Sequence, residues 1–121
     1  MRALGASLVA SWSAGDVVLL QGELGAGKTT LVRGVLGALG WTEPVRSPTF
    51  NLLQVYPTDP PVLHADLYRL TGEGLTGLGL EDYLDSHLCL VEWPERAEWP
   101  AHVWRIQIER RGDARLVRVS P

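Results

Sequence analysis

The sequence predicts an α/β protein: a mixed, mostly parallel sheet flanked by helices, ending in a C-terminal β-hairpin. Three observations support this fold class. Two continuous apolar runs, Asp16–Gln21 and Leu88–Glu92, have the pattern of strands buried on both faces, as in parallel sheets. Apolar residues at helical spacing follow the first run, from Leu31 to Leu39, and predict a helix packed on the sheet. Near the C-terminus, apolar and polar residues alternate on both sides of a glycine turn, which is typical of a hairpin.

The remaining elements follow from local signals. Proline and aspartate in PTDPP separate two strand-like runs, and glycines dominate the segment after the second run. The predicted elements are, in chain order, a helix over residues 2–12, strands over Phe50–Tyr56 and Val62–Leu67, a mobile loop over residues 71–79, a short helix over Leu80–Asp85, and hairpin strands over Val103–Glu109 and Arg115–Ser120.

Size and composition limit the classes of function. A chain of 121 residues predicts one domain over residues 1–121, and no apolar run reaches the ~20 residues that span a bilayer. Gly5 and Ser7 interrupt the apolar N-terminal stretch, so we interpret it as an amphipathic helix rather than a signal peptide. A net charge of −3 without a basic run argues against autonomous nucleic-acid binding. The single cysteine, Cys89, is predicted to be buried, and a cytoplasmic location is expected.

A glycine-rich motif connects the first predicted strand to its helix. Gly22-x4-Gly27-Lys28-Thr29 matches the full phosphate-loop pattern, which predicts a P-loop NTPase domain that binds ATP with Mg²⁺. Glycines at 22, 25 and 27 are expected to adopt positive φ and to bring backbone N–H groups against phosphate oxygens. Lys28, the only lysine of the chain, would contact the β- and γ-phosphates. The predicted nucleotide-binding residues of this segment are Glu23, Leu24, Gly25, Ala26, Gly27, Lys28, Thr29 and Thr30.

Two carboxylates end predicted buried strands beside this loop. Asp66 ends VLHAD and Glu92 ends LCLVE. We predict Mg²⁺ bound by Glu92 and the Thr29 hydroxyl, with Asp66 orienting or deprotonating the attacking water or binding the metal through water. Either acid alone could equally be a cap or an ion-pair partner. Lys28, Asp66 and Glu92 are thus the predicted catalytic residues.

Three further residues are open to two interpretations each. Thr49, in Ser47-Pro48-Thr49-Phe50, is either a switch residue that senses the γ-phosphate or part of a turn fixed by Pro48. Trp93 either shields the site from water or anchors the core. For His64, packing in a strand beside the site is favoured over a role as a ligand.

Several motifs then fall into a known order: GELGAGKTTLVRG, SPTFNLLQVY, HADLYRL, LGLEDYL and VEWPER. In this combination the chain resembles the TsaE (YjeE) family over residues 15–96. The resemblance implies a P-loop ATPase required for threonylcarbamoyladenosine modification of tRNA. It further implies that ATP turnover resets a complex of TsaB and TsaD, with tRNA contacted only through that complex. By the same resemblance Lys28, Thr29 and Thr30 match nucleotide-binding residues, Thr49 a switch threonine, Asp66 and Glu92 essential acids, and Trp93 a functional tryptophan.

The resemblance departs at the N-terminus, where family members carry an extra strand and a threonine-containing turn over the adenine. Either the start codon lies upstream or base recognition is looser here.

Two other functions remain as alternatives. One is a small kinase for a nucleoside or metabolite, although Arg69 is the only arginine between Arg46 and Arg96 and no arginine-rich lid is evident. The other is a nucleotide-gated scaffold with negligible turnover.

Overall fold

Over the residues that the structure describes, the fold is a six-stranded sheet with two α-helices packed on one face. A computed structural model describes residues 1–23, 25–45, 53–68, 79–96, 99–100 and 102–121. The helices are α1 (Arg2–Leu8) and α2 (Lys28–Ala38), and the strands are β1 (Val17–Gly22), β2 (Leu53–Tyr56), β3 (Val62–Asp66), β4 (Leu88–Glu92), β5 (Trp104–Arg111) and β6 (Ala114–Ser120).

The strands lie in the order β2-β3-β4-β1-β5-β6. The four central strands are parallel, whereas β2 and β6 pair antiparallel to β3 and β5 at the two edges. This confirms the predicted mixed, mostly parallel sheet. Because the carboxyl ends of parallel strands lie at the same edge, the ends of β1, β3 and β4 meet there.

Each face of the sheet has its own apolar core. Successive residues of β1 point to opposite faces, so Val18 and Leu20 pack on the helix side and Leu19 packs on the other side, all three fully buried. The second face is covered by Leu67, Leu80 and partly buried aromatic residues. Burial on both faces explains the continuous apolar runs in the sequence. Within the described ranges, no helix is both long enough and apolar enough to cross a membrane.

Glycines allow the two helices to approach closely. A Cβ on Gly5 of α1 would lie 2.2 Å from the Leu31 carbonyl oxygen, and a Cβ on Gly34 of α2 would lie 2.0 Å from the Arg2 carbonyl oxygen. Real Cβ atoms do not approach backbone oxygen so closely, so both positions require glycine. This contact fixes α1 along α2, the helix that begins at the phosphate loop.

Several predicted bounds differ from the structure. The predicted helix over Leu80–Asp85 is only a 3₁₀ turn over Leu80–Asp82, which starts after Gly79 at φ 73° and continues into turns. So short a segment gains too few helical hydrogen bonds to outweigh nucleation. The N-terminal helix ends at Leu8 and continues as a 3₁₀ turn to Ser11. Residues 71–78 of the loop predicted over residues 71–79, and the start of the strand predicted from Phe50, lie outside the described residues.

The C-terminal hairpin is present as predicted and is longer than its apolar pattern. Pairing continues to Arg111 opposite Ala114, so the loop is the pair Gly112 and Asp113. Gly112 has φ 61°, which tight two-residue hairpin loops need and glycine adopts without strain. The hydrogen-bonded ladder extends past the last buried residue of β5, Ile108, to exposed arginines.

Candidate nucleotide site

The phosphate-loop segment turns back from β1 into α2. Gly25 and Gly27 have φ values of 78° and 113°, the conformation that only glycine adopts without strain. The Ala26 N–H donates to the Glu23 carbonyl at 3.0 Å, and helical bonding starts with the Leu31 N–H to the Gly27 carbonyl at 2.9 Å. The N-terminus of α2, with its backbone N–H groups and positive dipole end, therefore faces the cleft that the loop encloses.

Gly22 corrects one expectation. It is the last residue of β1 and does not share the positive φ of Gly25 and Gly27. Its small size serves close packing instead, because a Cβ there would lie 2.8 Å from the Ile108 carbonyl oxygen and 3.2 Å from the Ala26 Cβ. The first glycine of the motif thus lets β5 and the returning loop approach the strand end.

Lys28 points back across the loop. Its side chain is buried, with the Nζ donating to the Gly22 carbonyl at 2.6 Å and lying 3.8 Å from the centre of the Trp93 ring. Burial lowers the pKa of Lys28, partly opposed by the negative charges of Glu92 and Asp66. The ammonium is therefore held at the cleft by one hydrogen bond and one cation–π contact, next to two acids.

Thr29 and Glu92 meet across the same cleft. The Thr29 hydroxyl donates to the Glu92 carboxylate, with oxygen–oxygen distances of 3.2 and 3.4 Å. Glu92 is nearly fully buried at the end of β4, and its register partner in β3 is Asp66. The hydroxyl and the two acids predicted for Mg²⁺ are thus brought to one sheet edge.

Asp66 is less buried than Glu92. One carboxylate oxygen accepts the Tyr68 N–H at 3.1 Å, which orients the side chain at the strand end. Partial burial raises the pKa of Asp66; the Tyr68 hydrogen bond opposes this shift, and the neighbouring Glu92 adds to it. A carboxylate with a raised pKa beside the cleft fits the predicted role in accepting a proton from water.

His64 is a contact that the sequence interpretation missed. Its ring is fully buried, and its Nε2 lies 2.6 Å from Glu92 Oε2. His64 is therefore not simply a packed strand residue, although it does not line the cleft. The one available signal was its i−2 position relative to Asp66, which puts both side chains on the same face of β3.

Trp93 adopts a strained backbone directly after Glu92. Its φ of 58° is the one positive value on a residue other than glycine among the described residues. Such a conformation costs on the order of 1–3 kcal/mol and persists where surrounding contacts enforce it. Here it places the ring against Lys28 and 4.9 Å from the Tyr68 ring, centre to centre.

The cleft has a volume of about 260 Å³. Glu23 and Ala26 do not line it, and Leu24 and Thr49 lie outside the described residues. Arg115 of β6 donates to the Ala26 carbonyl at 3.0 Å and braces the loop from the outside. The lining residues are Gly25, Gly27, Lys28, Thr29, Thr30, Asp66, Tyr68, Glu92 and Trp93.

The chemistry of these donors fits a magnesium–nucleotide complex. Over the part of the chain that is described, no group of three or more acidic, histidine or cysteine side chains forms a metal cage. Mg²⁺ in phosphate sites needs no such cage, since one or two protein oxygens, the phosphates and water supply its ligands. Thr29 and Glu92 offer such oxygens beside the N–H groups of the loop.

Fold and site together define a class. A phosphate loop between β1 and α2, with acids at the ends of adjacent parallel strands, is the arrangement of P-loop α/β proteins. Comparison with known proteins makes the assignment more specific. The family model "Threonylcarbamoyl adenosine biosynthesis protein TsaE" matches residues 1–117.

Two individual TsaE proteins and one crystal structure are also similar to this chain. The tRNA threonylcarbamoyladenosine biosynthesis protein TsaE of Streptomyces coelicolor is 46% identical over 100 residues, covering 78% of this chain and 68% of that protein. The Bacillus subtilis TsaE protein is 43% identical over 103 residues, covering 82% of this chain and 65% of that protein. The crystal structure of Bacillus subtilis YdiB superposes with a TM-score of 0.75 at 33% identity, over 98% of this chain and 74% of that chain.

The chain therefore belongs to the TsaE family, as its motifs predicted. The matched segments span about two-thirds of the length of the two TsaE relatives.

Proposed function

We propose that this chain binds ATP with Mg²⁺ in the cleft between the phosphate loop and the ends of β3 and β4, and hydrolyses it slowly. We propose further that this ATPase serves the biosynthesis of threonylcarbamoyladenosine in tRNA. The observation that supports the nucleotide site best is the convergence of Lys28, the Thr29–Glu92 pair and the N-terminus of α2 on one cleft.

Each side chain has a separate task in this proposal. Lys28 leaves the Gly22 carbonyl to contact the outer phosphates, and the N–H groups at the start of α2 bind the phosphate oxygens. Thr29 and Glu92 would hold Mg²⁺, which neutralises phosphate charge and orients the triphosphate when bound. Asp66 orients water and takes up its proton, and Trp93 excludes bulk water from the Lys28 side of the cleft.

The role in tRNA modification rests on family membership. TsaE proteins are named for threonylcarbamoyladenosine biosynthesis, and we propose that this chain acts in the cytoplasm on a complex of TsaB and TsaD. The net charge of −3 supports a role in which tRNA is contacted only through these partners.

The test measures phosphate release from ATP by the purified chain, alone and with the TsaB–TsaD pair, with Mg²⁺ or with EDTA. We expect slow, Mg²⁺-dependent release that the pair stimulates. Glu92→Gln should remove the advantage of Mg²⁺ over EDTA in ATP binding, because it weakens one metal ligand while keeping the side-chain shape.

Three results would redirect the assignment. Stoichiometric phosphorylation of a nucleoside or metabolite would indicate a kinase instead. Mg²⁺-dependent hydrolysis without any response to the TsaB–TsaD pair would keep the ATPase and contradict the role in tRNA modification. ATP binding without phosphate release, both alone and with the TsaB–TsaD pair, would indicate a nucleotide-gated scaffold.

A further inference from the structure

We infer that His64 is a positioning residue for Mg²⁺: its Nε2–H donates to Glu92 and holds that carboxylate in the orientation that meets Thr29. The inference rests on the proposed nucleotide site and adds a residue that does not contact the ligand.

The geometry forms a continuous chain of hydrogen bonds. His64 Nε2 lies 2.6 Å from Oε2 of Glu92, and the same oxygen lies 3.2 Å from the Thr29 hydroxyl. One carboxylate oxygen thus joins β3 to the first turn of α2. Glu92 has three side-chain torsions, so a free carboxylate would sample several orientations at the strand end. The histidine bond restricts it to one.

Sheet register explains why this histidine can reach. In the parallel pairing of β3 with β4, His64 lies opposite Leu90 and Asp66 lies opposite Glu92. His64 is therefore two residues before the cleft on the same face, within reach of Glu92 from below. Its own side chain stays out of the cleft lining.

The direction of the hydrogen bond follows from chemistry. An ionised carboxylate only accepts, so Nε2 must carry the proton in this pair. The Nδ1 atom is also buried and has no hydrogen-bond partner among the described residues. Burying a polar ring with one nitrogen unpaired costs stability that an apolar side chain would not. A residue chosen for core packing alone would not show this arrangement, whereas a residue that orients a metal ligand would.

The experiment compares two nearly isosteric substitutions. His64→Gln keeps an N–H donor at about the reach of Nε2, and His64→Met removes it. Binding of a non-hydrolysable ATP analogue is measured with Mg²⁺ and with EDTA. We expect His64→Met to weaken binding in Mg²⁺ by about 10- to 100-fold, the usual effect of losing a partner of a metal ligand. Binding in EDTA should be unchanged, and His64→Gln should recover most of the loss.

Equal losses for the two substitutions in Mg²⁺, or no loss for His64→Met, would overturn the inference. These results differ from failure of the proposed function, in which the wild-type chain itself would bind the analogue no better in Mg²⁺ than in EDTA.

A second measurement leaves His64 itself unsubstituted. Two-bond ¹H–¹⁵N spectra of the wild-type protein report which imidazole nitrogen of His64 carries a proton, and only three histidines require assignment. A protonated Nε2 whose resonance changes in Glu92→Gln supports the inference. An unprotonated Nε2 would overturn it, whether or not His64→Met folds.

Discussion

At the scale of single residues, Lys28 shows how the site is prepared for an anion. Its ammonium is buried, and among the described residues it contacts one backbone carbonyl and one aromatic ring, neither of which carries a full negative charge. Burial lowers its pKa, which means that the charged form is not fully compensated by these contacts. In the proposed nucleotide complex, a phosphate group would supply the missing negative charge.

Lys28→Ala should therefore weaken binding of ATP with Mg²⁺ by about 10- to 100-fold, since a hydrogen bond to a charged group contributes ~1.5–3 kcal/mol. Calorimetric titration measures the affinity directly. The control is Arg118→Ala, which removes an exposed cation from β6. An equal loss in Arg118→Ala would attribute the effect to net charge rather than to the loop.

Ionisation of Asp66 lowers the stability of the folded protein, so the effect of this residue depends on pH. Its pKa is raised in the folded protein, chiefly by burial, so the folded state binds a proton more readily than the unfolded state does. Stability from this group is therefore present at pH values below the unfolded pKa of 3.8 and is lost as pH rises through the raised folded pKa.

Asp66→Asn should raise the melting temperature of the ligand-free protein at pH 7, because the amide carries no charge and its oxygen can still accept the Tyr68 N–H. The difference should shrink towards pH 4, where Asp66 becomes protonated. Thermal unfolding across this range measures it, with Asp113→Asn in the exposed hairpin turn as control. A difference independent of pH would contradict the assignment to Asp66 ionisation. Asp66→Asn should also reduce the rate of ATP hydrolysis more than the affinity for ATP.

At the scale of elements, the α1–α2 contact depends on two glycines. Gly34→Ala would bring a methyl group against the Arg2 carbonyl, and neither backbone can yield without moving a helix. We expect a loss of at least ~1–3 kcal/mol in the free energy of unfolding, the usual cost of overpacking.

Gly37→Ala is a matched control in the same helix, because nothing lies within 4 Å of a Cβ there. It should stabilise the protein by about 0.5–1 kcal/mol through helix propensity alone. Urea unfolding of both variants tests the pair. Destabilisation by both substitutions would contradict this prediction. It would mean that an added side chain on α2 is destabilising even where a Cβ meets open space, as at Gly37.

The elements also show how far sequence reasoning reaches. Leu88–Glu92 has its predicted bounds because a strand buried on both faces leaves a continuous apolar run ending at a polar residue. The helix predicted over Leu80–Asp85 is longer than the observed 3₁₀ turn at Leu80–Asp82, because short helices depend on tertiary contacts that local patterns do not record.

The candidate site likewise combines features that a local sequence pattern predicts with features that depend on tertiary contacts. Lys28, Thr29 and Glu92 could be predicted together, since a phosphate loop and parallel strand ends must share one sheet edge. The His64–Glu92 bond joins residues 28 positions apart, and it depends on register and on which face each side chain occupies. Trp93 was singled out by position, but its strained backbone has no local sequence signal.

At the scale of the whole molecule, Cys89 reports opening of the sheet. It is fully buried in β4, and burial raises the pKa of its thiol to about 12. Only about one molecule in ten thousand would carry a thiolate at pH 8, even if reagent could reach it.

Labelling by a disulfide reagent at pH 8 should therefore be slow in the native protein and rapid in denaturant. Saturating ATP with Mg²⁺ should slow it further, because a ligand that binds only the folded state reduces the open population by the factor 1 + [L]/Kd. In the Cys89→Ala background, Arg118→Cys provides an exposed thiol that should label rapidly whether or not nucleotide is present. Rapid labelling of native Cys89 would place the thiol at the surface instead.

The sheet order has a consequence for synthesis on the ribosome. β1 precedes the other five strands in the chain yet lies between β4 and β5, so Val18 pairs with both Leu90 and Trp104. At ~5–20 residues per second, the nascent chain carries this apolar strand without its neighbours for several seconds. During that interval the phosphate loop is already made, but Glu92 and the strand that supports Gly22 are not. The growing polypeptide should thus bind nucleotide only after β4 and β5 have been made, and β1 stays without its neighbouring strands until then.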